Sequence, residues 1–428
     1  MSNNGFRKFS ILWAGEFISA IGSGLTSFGL GIYVYQLTGK TTAMSLVTLL
    51  AFFPSVILGA PAGVLADRHD RRLLMLIGDS FSAIGLVLIL VSMILGKANL
   101  PIICIGVTIS SIFSALMEPA YKATVSDLLS EDEYTRASGM IQIASSSKYL
   151  IAPIIAGFLL TIADIKLLLI IDICTFFVTV FTITFVRKGL KAKIEEHSES
   201  IVSELLDGIR YVKKKNGILI LIISTSLITF FMGFIQTLSI PMVLAFTNEA
   251  TLGSLETAIA SGMLVSSILL GIWKVKSHYH RMLFLGLTFN GFFMFLFGMK
   301  ANIIYVGITG FFFFATLPFV NTGIDCLIRR NLDNNMQGRV WGLIGMIAPS
   351  GYIFSYAFCG LLADYVFTPL LRKDGALAGS VGKIYGTGEG RGIGLLISIA
   401  GLVIMLLSLV LAKSKKVKAL DVEEVILD

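Results

Sequence analysis

Glu16 stands inside an apolar run near residues 9 to 35, and Ser19, Ser23 and Thr26 or Ser27 follow it at spacings of three or four. That spacing draws a single polar stripe along a helix. A carboxyl group on such a stripe, partly withdrawn from water, could take up and release a proton. The alternative is a glutamate near one end of the run, neutralised by solvent or by Lys148. Lys148 lies in another apolar run, with Gln142, Ser145 and Tyr149 on adjoining faces. It either pairs with Glu16 as a charge-balanced gate, or stays buried and neutral, or snorkels. Asp79 and Asp172 also interrupt apolar runs. A charge at mid-bilayer costs about 2.5–3.5 kcal/mol on insertion scales, so ionisable residues in such places are functional candidates by default.

The elements that must position these groups follow from composition. The chain of 428 residues is 55% hydrophobic and only 14% charged, with a mean hydropathy of +0.85. Soluble domains usually carry about 25% charged residues. A spanning helix needs about 20 mostly apolar residues. Twelve such runs can be read, near 9–35, 42–65, 73–95, 101–121, 137–162, 165–187, 217–246, 254–273, 281–299, 302–323, 340–366 and 393–412. The expected fold is an all-α membrane protein whose twelve transmembrane helices form two six-helix halves. Residues 1–187 form the first half, 188–216 a central linker, 217–412 the second half and 413–428 a tail. The first run is longer than a signal-peptide apolar region and lacks a small-residue cleavage site, so it reads as a retained span.

An even number of spans places both termini on one side. The loops on that side collect 25 of the 34 Lys and Arg residues, and the positive-inside rule makes it the cytoplasm. The net charge of +7 follows from this bias, and no nucleic-acid partner is needed to explain it. Cys104, Cys174, Cys326 and Cys359 are isolated, and His278 and His280 form a lone HxH in a basic loop, so no metal site or cofactor is expected. The glycine-rich segment 367–392 reads as a flexible loop outside the membrane, because a phosphate cradle would need a strand before it. No GxxxxGK[ST] stretch is present, which excludes direct ATP drive. No cluster of His or Asp near one interface suggests an enzyme.

The linker carries Ile201, Leu205, Ile209 and Val212 against Glu204, Asp207, Arg210 and Lys213. This amphipathic pattern suits an ordinary linker helix or a helix lying on the membrane surface. A degenerate repeat joins the halves. Asp127, Arg136, Gly139, Ala152-Pro153, Gly157 and Asp164 in one match Asp325, Arg339, Gly342, Ala348-Pro349, Gly360 and Asp364 in the other. Such internal duplication is common in transporters.

Between the second and third runs stands Gly63-Val-Leu-Ala-Asp67-Arg68-His69-Asp70-Arg71-Arg72. Glycine permits close helix approach, while an acid and several arginines in a short turn can pair with helix termini and with each other. The stretch resembles the signature loop of the major facilitator superfamily, with Asp70 where that pattern prefers Gly. Leu12-Trp13-Ala14-Gly15, Asp79, Glu118-Pro119-Ala120, Asp207-Gly208-Ile209-Arg210-Tyr211 and Gly390-Arg391-Gly392-Ile393-Gly394-Leu395-Leu396 are similar to its drug exporter branch of macrolide efflux and enterobactin-exporter-like proteins. The resemblance covers nearly the whole chain.

That resemblance implies a secondary exporter of small amphipathic molecules, a drug or macrolide-like antibiotic, driven by proton antiport through alternating access. A siderophore-like product, or an uptake or lipid-flipping permease of the same fold, is the alternative. It also implies that the first helix lines a central cavity, with Glu16 as proton carrier and Lys148, Gln236 and Asn321 as further coupling or substrate contacts. Phenylalanines near Phe311 to Phe314 would hold an apolar ligand. Gly63, Asp67, Arg68, Arg71, Arg72 and Asp79 would form a gating network, with Asp79 joining the loop. Gly139, Pro153 and Gly157 would form a hinge in the fifth helix, where Lys148 replaces a motif glycine. The expected protein is a monomer in the cell membrane, with a small-molecule substrate, protons and the lipid bilayer as partners.

Overall fold

The computed structural model of the protein describes residues 2–187, 201–272, 278–333 and 336–421. Among the described residues there is no strand, and twelve helical stretches are long and apolar enough to cross a membrane. Helices suit lipid because they satisfy every backbone polar group internally. Several stretches run beyond the apolar runs: the fourth reaches Leu128 and the tenth Arg330. Their last turns carry Asp127, and Arg329 and Arg330, which a hydropathy reading discards although the helical backbone continues through them.

The chain divides into two compact units, residues 1–197 with 248–257, and residues 198–247 with 258–428. In the first unit, α1 (Ser2–Thr38), α2 (Thr41–Arg68) and α3 (Arg71–Ile94) are single spans. The fourth span is α4 (Leu100–Ser114) with α5 (Met117–Leu128), and the fifth is α6 (Glu131–Leu150) with α7 (Ala152–Ile162); α8 (Ile165–Arg187) completes six. The fifth span breaks at Ile151, just ahead of Pro153 in the first turn of α7. Proline lacks the N–H that would continue the ladder, and its ring clashes with the carbonyl four residues back.

Lipid tails are as apolar as leucine, so helices there associate by close contact between small residues. The α1–α8 seam shows this. Gly15, Gly22 and Gly29, seven apart, face Thr182, Thr175 and Ile165 of α8. A Cβ on Gly22 would lie 2.6 Å from Thr175 Oγ1 and 2.9 Å from Asp172 Oδ1. On another face, Gly24 of α1 lies against Lys148 and Ala152.

The second unit begins with α9 (Ile201–Lys214), followed by α10 (Asn216–Leu244), most of α11 (Glu249–Ile272), α12 (Tyr279–Phe297), α13 (Ile303–Arg330) and α14 (Gln337–Leu362). A π-turn at Ala363–Phe367, α15 (Thr368–Leu370) and α16 (Gly382–Tyr385) lead into α17 (Arg391–Lys413) and α18 (Lys415–Lys418). In the first unit α1 packs on α6, α7 and α8, and α3 on α4 and α8; in the second, α10 packs on α14 and α17, and α12 on α13 and α17. The two pairing schemes are the same. They differ at the repeated Ala-Pro: α14 runs unbroken through Pro349, where Thr229 Oγ1 donates to Ala348 O at 2.6 Å.

The segment 367–392 is not the featureless loop that its glycines suggest. Leu377 N–H donates to Leu370 O at 3.0 Å and Gly388 N–H to Leu371 O at 2.9 Å, over a small core of Leu371, Tyr385 and Leu395. Gly386, Gly388 and Gly390 take φ of 84°, 109° and 72°, values open to glycine, so their number reflects tight turning rather than slackness.

Helix α9 is tied to the turn between α13 and α14. Arg339 Nη1 donates to Asp207 Oδ2 at 3.3 Å, Asp333 N–H to Tyr211 Oη at 3.1 Å, and Lys215 Nζ to Asn331 O at 2.9 Å and Asp333 Oδ1 at 3.3 Å. Val212 is buried beneath these polar contacts. Hydrogen bonding from Tyr211, then Lys215, holds the Asp333 carboxyl below the usual carboxylate range. Burial alone would lower Lys215, but its bonds to Tyr211 and Asp333 outweigh this and raise it.

Gly22→Leu is expected to cost about 1–3 kcal/mol through overpacking of the α1–α8 seam. Gly139→Ala, inside α6 where a Cβ meets nothing within 4 Å, should stabilise by about 0.5–1 kcal/mol, because alanine is the better residue in a helix interior. Thermal unfolding in detergent checks the order, and equal midpoints for the two variants would refute the seam. Because the folded Asp333 carboxyl is held low, its contribution to docking α9 is present above the ordinary carboxylate range and lost as pH falls through the folded value. Intrinsic-rate-corrected hydrogen exchange over 206–214 should stay flat from pH 7 to 5 and rise only below about pH 4. Asp333→Asn should give the raised rate already at pH 7.

Candidate transport site

The polar stripe of α1 meets α8 inside the first unit. Ser19 and Thr26 are buried, Glu16 is half-buried, and Ser23 Oγ donates to Asp172 Oδ1 at 3.4 Å. Asp172 is 1% exposed and Asp79, from α3, is 3% exposed. Asp79 Oδ2 is buried without a hydrogen-bond partner, while Thr26 lies within hydrogen-bonding reach of Asp172. Asp79 lies within electrostatic reach of both Glu16 and Asp172. Asp79 therefore does not join the signature loop. It stands eight residues beyond Arg71, about 12 Å along α3 at 1.5 Å per residue, and faces the core. Asp172 sits well inside α8 and hydrogen-bonds within its own half, accepting from Ser23, rather than capping a helix.

Lys148 does not sit against Glu16. It is level with Gly24, eight residues and about 12 Å further along α1. Its electrostatic partner is Asp172, whereas that of Glu16 is Glu118, itself paired with Lys122 at 2.6 Å. Among the three arrangements open to Lys148 in the sequence, a contact pair with Glu16 is not the one formed.

The signature loop makes its own network. Asp70 has φ −61° and ψ 106° and accepts from Arg72 N–H at 3.1 Å, capping α3. That extended conformation does not need glycine, and a carboxylate does useful work at a helix N-terminus. Arg71 donates to Asp127 Oδ1 at 2.8 Å, to Ala123 O at 3.3 Å and to Ala66 O at 3.2 Å. Arg72 is buried and Arg68 exposed, and the side chain of Asp67 lies outside those described. Gly63 does not mediate a close helix approach, because a Cβ there meets nothing within 4 Å. Asp127 is the member that motif reading missed. Its signal was present, as the acid that opens the internal repeat.

Of the fifth-span residues, Pro153 marks the break and Gly157 makes tight contact: a Cβ on it would lie 2.7 Å from Glu249 O and 3.2 Å from Gly253 Cα, within the same unit. Gly139 has open space around it. In the second unit Tyr356 donates to the exposed Gln236 at 2.8 Å, while Asn321 is exposed and makes no hydrogen bond among the described residues. The phenylalanines divide. Phe313 is fully buried, and Phe312 stacks on Phe293 of α12 with centroids 5.1 Å apart, so these pack helices together. Asn290, which the sequence did not single out, is fully buried and ties α12 to α13 by donating to Phe313 O at 3.2 Å and Thr316 Oγ1 at 2.9 Å. No group of three His, Cys, Asp or Glu side chains suited to a metal exists among the described residues.

Comparisons with known proteins agree with this architecture. The family profile of the Major Facilitator Superfamily matches residues 12–356. Macrolide efflux protein A of Streptococcus pyogenes is 27% identical over 377 residues, covering 83% of this chain and 90% of that protein. Macrolide efflux protein A of Enterococcus faecalis is 26% identical over 326 residues, covering 72% and 97%. In fold, the chain is similar to a bacterial homologue of the lysosomal transporter Spinster, with a TM-score of 0.74 at 11% identity over 98% of this chain and 99% of that one. It is also similar to a bacterial homologue of the iron transporter ferroportin, with a TM-score of 0.70 at 13% identity over 96% and 99%. The twelve apolar helices, the shared pairing scheme of the two units and the family match over most of the chain lead to one conclusion: this multi-pass membrane protein is a transporter, and it belongs to the Major Facilitator Superfamily.

Proposed function

We propose that the protein exports small amphipathic molecules, of the drug or macrolide-like antibiotic class, by proton antiport through alternating access. The observation that carries this reading is the half-buried Glu16 on a polar stripe of α1, in a chain whose relatives over most of its length include macrolide efflux proteins. A carboxyl group placed there takes a proton in one facing and gives it up in the other. The proton moves the equilibrium through its differential affinity for the two states. Gln236 and Asn321 are exposed amide side chains available to a ligand, and Lys148 supplies a positive charge on the Asp172 side of α1. The Lys and Arg bias supports a cell-membrane orientation with both termini in the cytoplasm, acting as a monomer. The Arg71–Asp127 pair acts as a latch between α3 and α5 that alternates with the transport cycle, with Pro153 and Gly157 as the flexing point of the fifth span.

In everted vesicles, Glu16→Gln should abolish drug-dependent proton release and reduce macrolide accumulation at least tenfold; transport at the wild-type rate against a gradient would refute the assignment. A pump-deficient host expressing the wild type should tolerate several-fold more of at least one drug in a macrolide-containing panel, and a protonophore should erase the gain. Arg71→Ala and Asp127→Ala should each lower the transport rate, with the double variant no worse than either. The coupling expected for interacting partners is about 0.5–3 kcal/mol, and purely additive losses would count against a latch.

A further inference from the structure

We propose that Asp172, Ser23 and Thr26 form a binding site for a partly dehydrated sodium ion between α1 and α8. The site is distinct from Glu16 and does not depend on what the protein exports. Its anionic ligand is the Asp172 carboxylate, in the middle of α8 and almost wholly withdrawn from solvent. Two hydroxyls one turn apart on α1 face it. Ser23 Oγ is 3.4 Å from Asp172 Oδ1, well beyond the roughly 2.5–2.7 Å of a charge-assisted O–H···O bond. The two oxygens stand apart, as they would around a shared cation. Thr26, only 6% exposed and four residues beyond Gly22 on the same seam, brings a second hydroxyl within hydrogen-bonding reach of the same carboxylate.

Thr175 Oγ1, one turn along α8, donates to Asp172 O at 2.7 Å and keeps its lone pairs free. Gly22 allows the arrangement, since a Cβ there would meet both Thr175 Oγ1 and Asp172 Oδ1 within 3 Å. The donor set is one carboxylate with neutral hydroxyl oxygens. Sulfur and imidazole are absent from it, so it does not suit the softer transition metals. A calcium site would need six to eight oxygens, usually with several carboxylates. A hard monovalent cation fits the charge and the donors.

Asp79, whose Oδ2 is buried without a partner, and Lys148 both lie in electrostatic range of Asp172. Lys148 makes no ion pair within the 4 Å range with Asp172 among the described residues, so it does not fill the place of the ion.

The test is binding, without any exported drug, so failure of the export reading would leave it untouched. Purified protein in detergent at fixed ionic strength and pH is titrated with NaCl replacing choline chloride, following thermal unfolding, and ²²Na binding is measured by scintillation proximity. Wild type should show a saturable rise of several degrees in midpoint with sodium and saturable ²²Na binding. Asp172→Asn should lose both, Thr26→Val should weaken the apparent affinity at least tenfold, and Thr26→Ser should restore it. Because Asp172→Asn could fold poorly, the Thr26 pair carries the test if that variant is not monodisperse. A wild type that binds no ²²Na, equal sodium affinity in Thr26→Val, or a midpoint that responds to pH but never to sodium would overturn the proposal.

Discussion

Close approach between helix backbones is the constraint on which the rest of this structure depends. In lipid, one apolar face gains nothing by touching another rather than an acyl chain, so association rests on dispersion contacts and on the few polar groups that meet across a seam. The seven-residue spacing of Gly15, Gly22 and Gly29 lets α1 lie directly on α8. Only at that separation can a carboxylate as short as aspartate reach hydroxyls on the facing helix. The packing seam and the polar site are therefore one feature: the glycine that allows contact also admits Asp172 to the Ser23–Thr26 face.

The same pairing scheme is used twice, yet the two units fasten their loops with different chemistry. In the first, Arg71 reaches Asp127 and the carbonyls of Ala66 and Ala123, while Arg136 lies 4.4 Å over the Phe6 ring. In the second, Arg339, the repeat partner of Arg136, binds Asp207 on α9 instead. Pro153 breaks its span, whereas Pro349 is accommodated within a continuous helix by a hydroxyl from α10. Duplicated architecture has kept the helix pairings and let the polar contacts diverge, because backbone packing is shared geometry and side-chain pairing is local.

Asp79 within electrostatic reach of Glu16 and of Asp172, with Lys148 in range of Asp172, places unusual demands on a lipid-embedded unit. The proposed ion at the α1–α8 contact and Glu16 would share one polar stripe of α1.

Much of the protein was legible in order along the chain. The twelve spans, their grouping by six, the family and the capping role of a loop rich in charge follow from hydropathy and motif, because lipid imposes a length and a composition that short windows record. The stripe Glu16–Ser19–Ser23–Thr26 was equally visible, since helical period is a local property. Partner identity was not. That Asp79 belongs with Glu16 and Asp172 rather than with the signature loop, that Lys148 acts on Asp172 rather than Glu16, that Arg71 finds Asp127, and that Gly63 approaches nothing while Gly22 approaches Asp172 all depend on which helix packs against which, and at what height. Sequence spacing sets the face and the level of a side chain on its own helix; only the assembled bundle decides what stands opposite.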